Sequence, residues 1–253
     1  KGDIQYNSFY SNTNLFDNSV RVFQFGYCLK HNNEKNISFG ILRRSIEENY
    51  NTHHAWHDLD NDGPDFSEIN YSDISSFTDH EIGFLFKINK KITPTSSMNF
   101  KFKPSYHSII DTKAYGLGLD LLLFKKINKL NLIFGFEDIF SHKKWNNGTV
   151  EYFNMNIFSN LTASFEKFLF SFEINHSLKY KYGCEYEISD SFNFRIGKNE
   201  FNDISVGLGI KTEVIDFNYA YMETGEIFTD YISQFSLIFK FNGLKKVFND
   251  FQI

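Results

Sequence analysis

What this chain has little of narrows its class before any motif does. No stretch approaches the roughly 18 to 20 uninterrupted apolar residues that a membrane-spanning helix needs, which excludes a helical span. Two cysteines, Cys28 and Cys184, are too few for a disulfide scaffold. On the strand register given below they fall on opposite faces, so they are expected to stay unpaired. Lysine and arginine are scattered and the net charge is −5, which leaves no basic patch of the kind a nucleic-acid surface requires. Lys1-Gly2-Asp3 opens into polar and aromatic sequence without an apolar leader or small-residue cleavage site, and the chain reads as mature or trimmed. Proline occurs only at Pro64, Pro94 and Pro104, each in or beside an expected connection, as suits residues that cannot donate to a ladder. There is no G-x-S-x-G elbow or comparable catalytic element, so a non-enzymatic role is expected.

What is abundant is aromatic. The 253 residues include 31 Phe and 14 Tyr, yet the mean hydropathy is only −0.37. A soluble globule with so many aromatics would bury them and be more apolar overall. An aromatic chain that is polar on average results when each strand turns one face to lipid and the other to a polar lumen.

The order of residues bears this out at period two. Phe23, Phe25, Tyr27 and Leu29 oppose Val22, Gln24, Gly26, Cys28 and Lys30; Ile82, Phe84, Phe86 and Ile88 oppose Glu81, Gly83, Leu85 and Lys87. Met98, Phe100 and Phe102 alternate with Asn99, Lys101 and Lys103, and the leucines at 117, 119, 121 and 123 alternate with Gly116, Gly118 and Asp120. The pattern continues through 130–136, 168–174, 204–210, 215–221 and 235–241, with weaker segments near 3–10, 36–46, 155–166, 180–188 and 192–197.

About fourteen strands result, an even number as bacterial barrels have. Connections alternate short (31–36, 89–94, 125–129, 167, 189–191, 212–213) and long (47–79, 104–113, 138–154, 222–230), the rhythm of periplasmic turns and outer loops. The expected fold is therefore all-β, a transmembrane antiparallel up-and-down β-barrel of residues 1–241 in the bacterial outer membrane, with both termini periplasmic. A C-terminal tail, 242–253, spaces Leu244, Val247, Phe248 and Phe251 for one helix face.

A soluble β-sandwich or lipocalin-like barrel also alternates. Its outer parity, however, would be the polar one. Here the polar parity is rich in Gly, Ser, Asn and single charges, and Glu81, Lys101, Asp120, Glu137, Glu173, Arg195, Asp216 and Lys240 are expected to face the lumen. Placed on a lipid face, such charges would cost several kcal/mol each.

The longest connection holds the one metal-like motif. Asp58, Asp60, Asp62 and Gly63 fit the opening of a D-x-D-x-D-G calcium loop, with Asp65 or Glu68 to complete an irregular oxygen cage. The twelfth position is Ile69 instead of Glu, so a solvated acidic turn is the alternative. His53, His54 and His57 are candidate transition-metal ligands, or simply part of a histidine-rich outer loop.

Several segments carry a family resemblance. The loop HHAWHDLDNDGPDFSEINYSDISSF, the strand AYGLGLDLLLF, LNLIFGFEDIF followed by KKWNNGTVEYF, and above all FNYAYMETGEIFTDYISQFSLIFKF look like the PorV/PorQ group of outer-membrane proteins, a branch of the FadL-like barrels. The resemblance implies a protein-binding subunit of a type IX-like secretion or surface-attachment assembly, with other outer-membrane or secreted proteins as partners. Its FadL-like side implies a transporter of long-chain fatty acids or other hydrophobic small molecules. A structural or adhesive surface barrel is the third reading. Relatives also carry a lumen-plugging N-terminal segment, whereas this chain starts almost at a strand.

Overall fold

The computed structural model describes residues 6–15, 20–30, 34–56, 66–224 and 231–240. Its first strands are β1 (Tyr6–Leu15), β2 (Val20–Lys30), β3 (Lys35–Asn51), β4 (Ser75–Thr93) and β5 (Ser96–Ile109). Next come β6 (Thr112–Ile127), β7 (Leu130–Trp145), β8 (Val150–Tyr152), β9 (Asn156–Phe165) and β10 (Phe168–Asn175). The chain ends in β11 (Tyr180–Ser189), β12 (Phe192–Lys198), β13 (Ile204–Lys211), β14 (Ile215–Glu223) and β15 (Tyr231–Lys240). Two short 3-10 turns, Phe66–Glu68 and Tyr71–Asp73, lie between β3 and β4.

All pairings are antiparallel, and they return on themselves. β1 pairs with β15, β6 with β7 and β7 with β9, so that with β8 set aside the other fourteen of the fifteen strands each have two neighbours. This is an up-and-down transmembrane β-barrel. Closure suits an exterior that faces lipid, where an open strand edge would leave backbone N–H and C=O groups with nothing to bond.

The side chains sort as the period-two pattern requires. Large apolar residues such as Phe86 (45% exposed), Phe100 (48%) and Phe170 (45%) stand on the outside all around the ring. They pack ring to ring across strands in tilted pairs, with Phe39–Phe86 at 5.3 Å and Phe168–Tyr186 at 4.8 Å between ring centroids. The opposite parity carries glycines and charged residues, including Asp120 at 3% and Lys143 at 8% exposed. Cys28 and Cys184 are both free.

The wall is uneven in height. β3 and β4 run 17 and 19 residues, whereas β10 and β12 run 8 and 7. The step falls at β7, which pairs with β9 only over Leu130–Glu137 and is flanked higher up by β8 at His142, Lys143 and Lys144.

Three expected connections are shorter in the structure. β5 continues through the expected 104–113 loop to Ile109, β7 continues to Trp145, and β3 and β4 together shorten 47–79 to 52–74. The reason is that these strand tops rise above the apolar belt. There the outer parity no longer needs to be apolar and the alternation fades. Pro104 accordingly sits inside β5, and the β4–β5 pairing skips from Gly83↔Ser105 to Phe86↔Phe102 beside it. A proline lacks the N–H that a ladder bond requires. The expected tail, 242–253, lies outside the described residues.

Candidate functional site

Small residues on the inner faces of β2–β6 leave room. Gly40, Gly83, Ser105 and Gly118 border a cavity of about 720 Å³, whose apolar surface includes Leu42, Leu85 and Phe153. A methyl group placed on Gly83 would meet nothing within 4 Å, so this glycine looks onto open space. The cavity also reaches Phe84 and Pro104, where the β4–β5 ladder is interrupted.

Charges bracket this cavity. Toward the long-loop end, the Lys143 ammonium donates to Glu81 at 2.8 Å and contacts Nδ1 of His107 at 3.0 Å, while His107 Nε2 lies 2.6 Å from Asp79. Arg44 adds ion pairs to Glu81 at 3.1 Å and Asp79 at 3.6 Å. Trp145 packs on the His107 ring at 5.1 Å and donates its indole N–H to Glu151. The Phe153 ring lies 5.9 Å from the Lys143 ammonium, joining the cap to the apolar cavity below.

Toward the short-turn end, Asp120 collects Lys103 at 2.6 Å and Lys101 at 3.5 Å, and accepts the backbone N–H of Asp138 at 3.0 Å. Lys103 also donates to Asp138 at 2.7 Å, and Lys101 lies 3.8 Å from Glu137. A register shift between Leu119 and Leu121 inserts extra β7 residues here, and Asp138 takes φ 53°. That bulge brings both Glu137 and Asp138 to the lysines.

The expected lumenal charges thus fall into separate groups. Glu81 belongs to the upper cluster, and Lys101, Asp120 and Glu137 to the lower one. Across the barrel, Arg195 donates to Glu185 at 2.6 Å and to Asn218 at 2.9 Å, Lys240 to Asp216 at 2.6 Å, and Glu173 pairs with Lys181 at 3.7 Å. Sequence reasoning did not single out Arg44, Asp79, His107, Lys143 or Asp138. The first four lie high on long strands, and Asp79, His107, Lys143 and Asp138 all fall within spans read as loops.

Of the acidic run, Asp58, Asp60, Asp62 and Asp65, with His57, lie outside the described residues. Glu68 accepts the Trp56 indole N–H at 3.3 Å. His53 and His54 touch edge to face at 4.9 Å. No group of three metal-type side chains occurs among the described residues. His107 has the carboxylate partner that a catalytic base often has, but its other nitrogen meets an ammonium instead of a nucleophile's hydroxyl.

No protein-family model matches the chain, and no curated protein does. Solved structures do share its fold. The Pseudomonas putida toluene transporter TodX aligns with a TM-score of 0.58 at 10% identity, over 93% of this chain and 87% of that one. A TodX deltaS2S3 mutant, described as a monoaromatic hydrocarbon channel, gives 0.56 at 9% identity over 93% and 88%. A Pseudomonas aeruginosa FadL homologue gives 0.52 at 8% identity over 94% and 90%. At such identities the likeness is one of architecture: the chain has the barrel fold seen in FadL-type outer-membrane channels.

Proposed function

We propose that this barrel is an outer-membrane channel for hydrophobic small molecules, its long loops outside and its short turns and both termini in the periplasm. The carrying observation is the cavity of about 720 Å³ inside the wall, apolar at Leu42, Leu85 and Phe153 and open beside Gly83. Its size falls in the range of small-molecule sites, roughly 300 to 1,000 Å³. A water-filled pore for ions would not need such a lining.

Charges at either end give the path its order. The Lys143–His107–Asp79 cluster stands over the cavity as a cap, and the Lys103–Asp120–Asp138 cluster closes it below. An apolar ligand held between them gains little from moving down past a polar, ion-paired cluster. We place a sideways exit into the apolar surroundings at Pro104, where two β4–β5 ladder pairs are missing. The fold shared with a toluene transporter supports the same reading. The protein-binding role implied by the PorV/PorQ resemblance draws no support from that likeness.

The direct test is equilibrium binding of an environment-sensitive naphthalene or anthracene probe to the purified barrel in detergent. Saturable binding, displaced by toluene or by a fatty acid, is the expected result. Non-saturable partitioning equal to that of empty micelles overturns the proposal.

A further inference from the structure

On the outer face the apolar belt ends in lysine at the short-turn end. On β4 the outward series Ile82, Phe84, Phe86, Ile88 is followed on the same face by Lys90, and on β6 the series ending in Leu121 and Leu123 is followed by Lys125. Lys129, in the β6–β7 turn, and Lys167, in the β9–β10 turn, stand next to the exposed Leu130 and Phe168. All four lysines are exposed, and none has an ion-pair partner among the described residues. Lys91 and Lys126 extend the same arc, whose acidic residues are Glu34 and Glu166.

The rest of the barrel is charged differently. On the short-turn rim beyond β11, Lys211 pairs with Glu187 at 3.9 Å and Lys240 with Asp216 at 2.6 Å, so those ammonium groups are already matched. At the opposite end, the described part of the 52–74 connection carries Glu68 and Asp73 with no lysine or arginine, while Lys113, Lys144 and Lys179 stand exposed on neighbouring strands and turns. Within the short-turn rim, unmatched positive charge is thus gathered on the one arc from β4 to β10.

From this placement we infer that the turn rim of β4–β10 binds the phosphate headgroups of anionic glycerophospholipids in the leaflet it touches. A lysine one step beyond an apolar belt lays its methylenes along that belt and puts its ammonium at headgroup depth. The protein provides only Glu34 and Glu166 against six lysines there, and the phosphodiester is the group of opposite sign at that depth. A zwitterionic lipid brings its own ammonium with its phosphate, so a lipid of net negative charge is favoured. The inference rests on the membrane-spanning reading of the barrel and not on transport.

The test is native mass spectrometry of the barrel released from nanodiscs of phosphatidylcholine and phosphatidylglycerol in equal amounts, scoring which lipid stays bound. Phosphatidylglycerol is expected to be enriched at least about fivefold at low salt, and the enrichment should collapse at high salt. It should also be lost in a Lys90→Ser, Lys125→Ser, Lys129→Ser, Lys167→Ser variant, kept when the same four become Arg, and kept when Lys113, Lys144 and Lys179 of the opposite end become Ser. Equal retention of the two lipids, or enrichment that survives in the Ser variant, overturns the inference. Should the Ser variant fail to fold, enrichment in the unaltered barrel that ignores salt overturns it instead. A barrel that enters neither lipid overturns the membrane reading itself, a result distinct from insertion without preference.

Discussion

The Lys143 ammonium on β7 reaches Nδ1 of His107 on β5, at 3.0 Å, over the top of β6. It can do so because β6 presents Ala114, fully buried and paired with both His107 and Trp145, and then Gly116 beneath the span. An ammonium has only donors, so Nδ1 must be the bare nitrogen and Nε2 must carry the hydrogen it gives to Asp79. The imidazole therefore bridges a carboxylate and an ammonium, and the three strands are tied together above the cavity.

Removing that tie should open the cap. In Lys143→Met, Glu81 keeps only Arg44 and Nδ1 of His107 loses its donor. The barrel is expected to lose about 2 kcal/mol of stability, since a hydrogen bond to a charged group is removed and a buried acceptor is left bare. Ion conductance in planar bilayers should rise at the same time. Conductance equal to that of the unaltered barrel would show that the cluster does not obstruct the lumen.

The lower cluster depends on Asp120, which is the most enclosed member and holds two ammonium groups and the bulged backbone of Asp138. Asp120→Asn removes the charge while keeping the shape. Breaking a buried pair in this way costs about 3 kcal/mol or more. Urea unfolding in detergent, followed by the gel shift between folded and unfolded barrel, should show that loss. The double change Lys103→Met with Asp120→Leu should recover part of it, whereas a stability unchanged by Asp120→Asn would mean that solvent already screens the cluster.

Much of the barrel was legible in the residue order, and the limits have a physical cause. Along the belt, Phe84 and Phe86 must face lipid and Gly83 and Leu85 must not, so period two fixes both strand and face. Above the belt that demand ends, which is why Ser105–His107 and His142–Trp145 resemble loop sequence although they are paired strand. The upper cluster was hidden for the same reason. Lys101 and Asp120 were visible as lumenal charges, yet Asp138, which meets Asp120 and Lys103, was not, because the bulge that turns it inward lies where the alternation stops and the chain reads as a loop.

Pro104 gives a prediction about the wall. In Pro104→Val an N–H is restored on β5, so the ladder beside Phe84 and Leu85 can be completed. Stability is expected to stay the same or rise by up to about 1 kcal/mol, while release of a hydrophobic probe into the bilayer slows several-fold. Release at the original rate would exclude this part of the wall as the exit.

The cavity itself is tested most directly at Gly83, where an added side chain meets open space and not the wall. The measurement is uptake of a radiolabelled hydrophobic compound, such as toluene, by cells whose outer membrane holds equal amounts of folded Gly83→Leu or unaltered barrel. Uptake through Gly83→Leu should fall about tenfold, toward that of cells without the barrel, because the leucine fills space the ligand must occupy. Undiminished uptake by the folded variant would contradict passage through this cavity.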